Sequence, residues 1–459
     1  MTYAIMASDR RGRKETGILI EKLERQFDSF DPAERKGALL ALLEKVKAGE
    51  IAFSKPCRFV NLHCHTFFSY NAYGYSPTKF AWLARKAGLA VVGTTDFDVL
   101  DALDEFREAC RLLGLKGCSG LETRVYVPEF STRVMNSPGE PGISYHMGVG
   151  FPNSKAPKSQ ESFLRGLKQT AQQRNRELMH RVNRYLSPVE IDYERDALML
   201  TPAGNVTERH MCLAYARKAV DIFGHSDKLI EFWSQKLDAD PVRLGLPEGR
   251  DLLNTIRAKT MKRGGVGYVQ PDEGSFPLMA DTNRFILAAG GIPVHTWLDG
   301  TSDGEQAIEE LLDVAMSTGA VALNVIPDRN YTPGAPDQKV KNLYRVIEVA
   351  KRRHLVVVEG TEMNNPGQKF VDDFDTEELA PLLPVFLTGA HIVYAHSVLQ
   401  RQCGLGYTSV WADKHFGTAE RKNAFFEQVG ATLTSQQEDS LAGFKDTASP
   451  GDVLKRIRA

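Results

Sequence analysis

The 459-residue sequence has no uninterrupted apolar run near the ~18 residues of a membrane span. Met1 to Thr16 also lack the apolar core of a secretory signal. A soluble, cytoplasmic chain with no membrane partner is expected. C-x-x-C pairs are missing too: Cys57, Cys64, Cys110, Cys118, Cys212 and Cys403 are scattered, which fits neither a disulfide framework nor a zinc ribbon. Reduced thiols are the expectation. Charge of one sign is not in excess, with 57 Lys plus Arg against 58 Asp plus Glu, so nothing draws the whole chain toward nucleic acid or anionic lipid. Repeats and low-complexity tracts are absent. What is present, 42% hydrophobic and 25% charged residues, excludes a fibrous, collagen-like or wholly disordered chain and supplies a large core.

Asp31-Pro32 places a capping side chain before a proline suited to a first helical turn, and Leu39, Leu40, Leu42, Leu43 and Val46 form an apolar stripe. Residues 15–50 are read as a helical preface. From Arg58 the texture changes to short apolar runs, at 59–62, 90–93, 292–294, 321–326 and 355–358, which read as buried parallel strands. Ser76-Pro77 opens a helix after the first strand; Asp281, Asp303 and Asp337 precede others, and Gly88, Gly290 and Gly319 stop them. Strand followed by helix, repeated, argues for an α/β barrel or a doubly wound sheet. Between Ser159 and Gly264 the pattern is almost purely helical, as in an insertion. The run Gln270 to Pro277 then reads either as a loop covering a site or as an ordinary surface connection.

The chemistry concentrates where a strand runs into His63-Cys64-His65-Thr66. Alternate side chains of an extended chain project the same way, so both imidazoles can converge on one ion. Other ligand-type side chains follow later strand patterns: Asp96, Glu122, His146, His295 and Glu362. In a barrel, such strand ends meet on one face.

These residues resemble the PHP family, named for polymerase and histidinol phosphatase. His63-Cys64-His65-Thr66-Phe67-Phe68-Ser69 is similar to its H-x-H-T-x-x-S, and Thr95 to Asp101 to its T-D-H-D-T-L-D. Gly120-Leu121-Glu122, His146-Met147-Gly148, Gly291 to Thr296 and Gly360-Thr361-Glu362-Met363-Asn364 follow in the family's order. The resemblance implies an α/β fold, a distorted (β/α)7 barrel of the PHP type with an N-terminal helical extension and a helical insertion. The expected boundaries are an extension over 1–57, the barrel's first part over 58–158, an insertion over 159–264, the second part over 265–410 and a C-terminal extension over 411–459.

Departures from the family's motifs carry information as well. Trinuclear members hold a third ion where this chain has Tyr70-Asn71, Phe97 and Asn364. A phenylalanine has no lone pair to donate and amides are poor ligands for zinc-like ions, so the third site is expected to be lost. The resemblance then implies two divalent ions, zinc, manganese or iron. One is placed among His63, His65, Glu122 and Glu362, the other among Glu122, His146 and His295, with Glu122 bridging and Glu362 substituting for an aspartate. Asp96 is expected to fix the tautomer of a ligating histidine, or else to cap a helix.

A hydroxide shared by two such ions would be the nucleophile for hydrolysis of a small phosphate ester. Arg124 and Arg329 are the best placed cations for the phosphate, or are solvated surface arginines. Tyr268, Gln270, Asp272, Glu273 and Trp297-Leu298-Asp299 are expected to shape the cavity, and Asn364, Gln368 or Lys369 to reach substrate. His391 and His396 are expected to be structural, whereas His210 faces the site only if the helical segment folds over the mouth. The even charge disfavours long nucleic acid as a partner. A nuclease or nucleotide phosphoesterase, or a catalytically silent PHP-like module, are the competing readings; the sequence does not set the oligomeric state.

Overall fold

The computed structural model describes residues 17–240, 243–334 and 337–459, so Met1 to Thr16 lie outside the described residues. Seven strands form one sheet in chain order: β1 (Val60–Cys64), β2 (Val91–Phe97), β3 (Lys116–Tyr126), β4 (Ile143–Val149), β5 (Ile292–Thr296), β6 (Ala322–Val325) and β7 (Val356–Glu359). Just past β7, Glu362 makes a parallel bridge to Cys64 on β1, so the two edges of the sheet meet. The molecule is a nearly closed, distorted α/β barrel, the fold class expected from the alternation of strand and helix patterns.

The five runs expected as parallel strands lie in β1, β2, β5, β6 and β7, and β4 is a strand of the opposite direction. β4 runs antiparallel to both β3 and β5, while β1 to β3 and β5 to β7 are parallel. Between β3 and β4 there is only the short turn Pro128–Phe130 and a Val134–Pro141 bridge. Without a crossover helix to carry the chain back, consecutive strands can pair only as a hairpin.

Elsewhere the crossovers are the expected helices. Ser76 caps Pro77–Ala87 by accepting from Lys79 N, with proline in the first turn, where its missing N–H costs nothing. Leu103–Leu113, Ile308–Ser317 and Gln338–Arg352 follow β2, β5 and β6. The stretch Ala380–Cys403 is long and apolar enough to cross a membrane by length and composition. Here it is a core helix, with Phe386, Ala390, Val393, Tyr394 and Val398 buried. Gly389 permits its approach to β7, because a Cβ there would lie 1.8 Å from the Val357 carbonyl oxygen.

Between β4 and β5 the chain is largely helical, including Glu161–Leu186, Glu208–Phe223, Asp227–Leu237 and Arg250–Ile256. Met179, Val182, Tyr193, Tyr215, Trp233 and Ile256 belong to an apolar cluster of their own, separate from the barrel core. Burial of such side chains, at ~25 cal/mol per Å² of apolar surface, gives this segment its own source of stability. The first turns of Glu161–Leu186 join it to the barrel, with Phe163, Leu164 and Leu167 packed among Leu103, Leu121 and Phe285.

Candidate metal centre

His63 on β1, His65 just past its end and the carboxylate of Glu122 on β3 meet inside the barrel. His65 Nε2 lies 3.0 Å and His63 Nε2 3.4 Å from Glu122 Oε2. All three side chains are buried, and these three atoms have no hydrogen-bond donor or acceptor of their own. Among the described residues, this is the one group of three or more ligand-type side chains whose ligand atoms all fall within 4.8 Å of one another. Burial disfavours charge on Glu122, but the two facing imidazoles outweigh it and bring its carboxyl down to about 2. Burial likewise opposes a charged His63, yet Glu122 prevails and its pKa is raised.

Each imidazole is oriented by a partner on its other nitrogen. Asn324 on β6 donates through Nδ2 to the Val358 carbonyl at 3.2 Å, which leaves its Oδ1, 3.3 Å from His63 Nδ1, as an acceptor. His63 therefore carries its proton on Nδ1 and turns the Nε2 lone pair toward Glu122. For His65, Nδ1 is 3.0 Å from Ser69 Oγ, and that hydroxyl donates to Asp96 Oδ1 at 2.6 Å. Asp96 also accepts from Thr66 N and Thr66 Oγ1, both at 2.8 Å. It thus acts on His65 through Ser69 and points away from the lumen. Burial pushes the Asp96 carboxyl up, against the pull of His65 and these donors.

Glu362 belongs to the seam that closes the barrel. Its N–H donates to the His63 carbonyl at 2.6 Å, and its own carbonyl accepts from His65 N at 2.8 Å. Glu362 and Met363 both sit at positive φ, 61° and 57°, a conformation that costs a side-chain-bearing residue of order 1 kcal/mol or more. Gly360 is required here, since a Cβ would lie 2.3 Å from His63 N. Arg329 Nη2 and Gln368 Nε2 each donate to Glu362 Oε2 at 2.8 Å. Burial resists ionisation of Glu362, but Arg329 and His63 outweigh it and hold the pKa below the usual carboxylate value.

The structure does not bring His146 and His295 to this group. In the β3–β4 ladder Glu122 pairs with Met147 and Thr123 with His146, and His146 in turn pairs with His295 across β4–β5. Paired residues of adjacent strands share a face, and successive residues alternate faces, so both histidines lie on the face opposite Glu122. His146 Nε2 meets Asn283 Oδ1 at 2.5 Å, on the helix Met279–Ala288 that covers the barrel's outside. Burial pulls His146 down to about 4 and His295 to about 3, so both are neutral at neutral pH.

Phe97 packs against His65 with centroids 4.4 Å apart and the rings tilted by 31°, at the position where the resemblance pointed to a lost ligand. Asn71 accepts from Tyr73 N and donates to the His65 carbonyl, a turn-building role. Arg124, on the Glu122 face of β3, pairs with Glu140 at 3.1 Å. Tyr268 reaches the same Glu140 at 3.3 Å, whereas Trp297 is packed in the apolar core. Lys369 is held by Asp328 and Asp373, and His396 bonds to the Gly290 carbonyl and Tyr407 N. His210 meets Tyr70 edge-on at 5.0 Å, so the helical segment does fold against the mouth. Sequence reasoning missed Asn324; the available signal was a lone amide in the apolar run Val321 to Ile326.

No protein-family model matches the chain, and no curated protein matches it significantly. Two solved structures have a similar fold. One is an amidohydrolase from Chromobacterium violaceum with bound sulfate and no metal, at TM-score 0.48 and 18% identity, covering 67% of this chain and 88% of that one. The other is a "putative metal-dependent phosphoesterase" from Bifidobacterium adolescentis, at TM-score 0.46 and 19% identity, covering 72% and 98%. At this distance no residue role is transferred from either.

Proposed function

We propose that this chain is a metal-dependent hydrolase of the PHP kind that cleaves a small phosphate ester over His63, His65 and Glu122. The reading is carried by three buried lone-pair atoms that face one another without a donor between them, each imidazole locked in the tautomer that exposes Nε2. Left without a cation, such a group forces protonation of an imidazole in a dry interior; two imidazoles and a carboxylate are the donor set that suits zinc, manganese or iron. Glu362 Oε1, free of the donors that hold Oε2, is the fourth candidate ligand atom.

A divalent ion held there supplies Lewis-acid polarisation of the phosphoryl group and access to a nucleophile at neutral pH. The chain's own residues bind and orient. Asn324 and the Ser69–Asp96 pair fix the two imidazoles, Phe97 and Tyr145 exclude water from one wall, and Arg329 presents a guanidinium at the rim. That guanidinium is 42% exposed although paired with Glu362, so it can fork toward an incoming phosphate oxygen. Arg124 lies two residues beyond Glu122 on the same face of β3 and adds a second guanidinium, paired with Glu140.

The geometry supports one ion per chain. A second ion of the kind implied by the resemblance would require His146 and His295 to leave the outer face. The test is elemental analysis of chelator-treated and reconstituted protein, coupled to hydrolysis of a chromogenic phosphoester. About one ion per chain with metal-dependent turnover supports the reading; two ions would restore the bridged arrangement, and zero with no turnover would leave a silent module.

A further inference from the structure

The helical residues between β4 and β5 carry Arg174, Arg209, Arg257 and Lys262 toward Arg124 of β3, and the proposed hydrolysis uses none of these four. Asn205 Nδ2 donates to the Phe97 carbonyl at 2.7 Å and His210 packs on Tyr70, so helix Glu208–Phe223 begins beside the wall of His65. At its first turn, Glu208 accepts from Arg257 Nε and Lys262 Nζ, both at 2.8 Å. Arg124 and Arg174 converge on Phe276, each guanidinium carbon 4.3 Å from the ring centroid.

Charge does not balance here. Asp98, Glu140 and Glu208 are the carboxylates that act most strongly on Arg124, Arg174, Arg209, Arg257 and Lys262. Arg174 donates to the Ser275 carbonyl and Arg209 to Asn254 Oδ1; among the described residues neither has an ion-pair partner. All five are partly buried, where like charges are weakly screened. Burial, and then Arg124, bring Arg174 down to about 10; burial, and then Arg257, do the same to Arg209. Two excess positive charges held half out of water, against their mutual repulsion, leave a vacancy for negative charge in a ligand.

We infer that this cluster is a second anion subsite: the substrate carries, besides the ester cleaved at His63, His65 and Glu122, a second phosphate or carboxylate group bound by Arg209, Arg174 and their neighbours. Which end is cleaved rests on the hydrolase reading above; the anion binding itself does not. Phe97 packs against His65 with its ring and accepts from Asn205 with its carbonyl, so the start of the cation-bearing helical segment borders the wall of the proposed site. Guanidinium forks suit either oxyanion.

The experiment is calorimetric titration of the full-length, chelator-treated chain with inorganic phosphate, pyrophosphate and malonate at fixed low ionic strength. Arg209→Gln and Arg174→Gln should each weaken binding roughly tenfold, about 1.4 kcal/mol. Glu208→Gln should tighten it, because Arg257 and Lys262 lose their competing carboxylate, an effect of a sign that simple misfolding does not produce. In the anion-free chain Arg209→Gln should also raise Tm. A larger Arg209 effect on phosphate than on malonate assigns the second group as phosphate, and the reverse assigns a carboxylate. Absence of binding by the natural chain, or affinities unchanged in both arginine variants, overturns the subsite. Arginine-dependent anion binding without turnover of any phosphoester after metal reconstitution would sink the hydrolase reading alone.

Discussion

Replacing Asn324 by leucine tests whether the orientation of His63 creates the metal group. The side chains are close in volume and position 324 is fully buried, so the change removes an acceptor without opening a large cavity. In the natural chain the Asn324 amide keeps the His63 proton on Nδ1. Without that acceptor, the proton is better placed on Nε2, where Glu122 Oε2 accepts it from 3.4 Å away. This tautomer satisfies itself and hides the lone pair that an ion needs. Loss of such an outer partner typically weakens metal binding by ~10- to 100-fold, about 1.4 to 2.7 kcal/mol. The unpaired Val358 carbonyl adds a folding cost of about 1 to 3 kcal/mol. Competitive chelator titration with zinc or manganese reads the first quantity and denaturant unfolding the second. An Asn324→Leu chain that folds and binds metal as tightly as the natural one would refute the tautomer argument.

Glu122→Gln should remove metal binding and phosphoester hydrolysis together, while Phe97→Ala should loosen the packing on His65 and leave the metal count unchanged; elemental analysis reverses the assignment of roles if the two outcomes are exchanged. Gly360→Ala should displace β1 at His63, because the added Cβ would lie 2.3 Å from His63 N, and is expected to lower both Tm and metal affinity. A wild-type Tm in that variant would contradict the seam geometry. Glu359 and Asp372 form a buried carboxyl pair with no donor to any of the four oxygens. Burial pushes Glu359 well up and Asp372 to about 7. The folded chain then holds protons that the unfolded chain has released, so stability falls as pH rises from about 4 through about 7. Glu359→Gln should therefore raise Tm at pH 8 more than at pH 5, and an equal shift at both would show that the pair does not titrate as a unit.

Strand positions and the H-x-H turn were legible because they depend on local pattern. The apolar runs around β1, β2, β5, β6 and β7 differ from the observed strands only at their ends, where hydrogen bonding to a neighbour decides membership. Facing was not legible. Whether His146 looks into the lumen depends on Glu122 pairing with Met147 instead of with its neighbour, a register set by the turn between β3 and β4 and by the pairing of β4 with β5. A shift of one residue turns every side chain of β4 to the other face. The mouth cations were hidden for a different reason: Arg209 and Arg257 are 48 positions apart, and each alone looks like a solvated surface arginine. Arg257 reaches Glu208, the chain neighbour of Arg209, only because the helical segment folds around its own core.

Barrel closure and the metal group are one construction. The chain leaving β7 is stitched to β1 by the Glu362 N to His63 O and His65 N to Glu362 O bonds, so the residue that joins the sheet edges is also the one that offers a carboxylate beside His63. Holding Glu362 and Met363 at positive φ costs free energy that a plain loop would avoid. The strain persists because Gly360 lets the strand press on His63 and because Arg329 and Gln368 anchor the Glu362 carboxylate once it is there. An ion binding only the closed form would stabilise it by RT ln(1 + [L]/Kd), about 2.7 kcal/mol at a hundredfold excess over Kd. That is comparable with the strain of one left-handed residue, about 1 to 3 kcal/mol. The seam is therefore where ligand binding and folding share the same bonds, and the place where stability should respond most directly to metal.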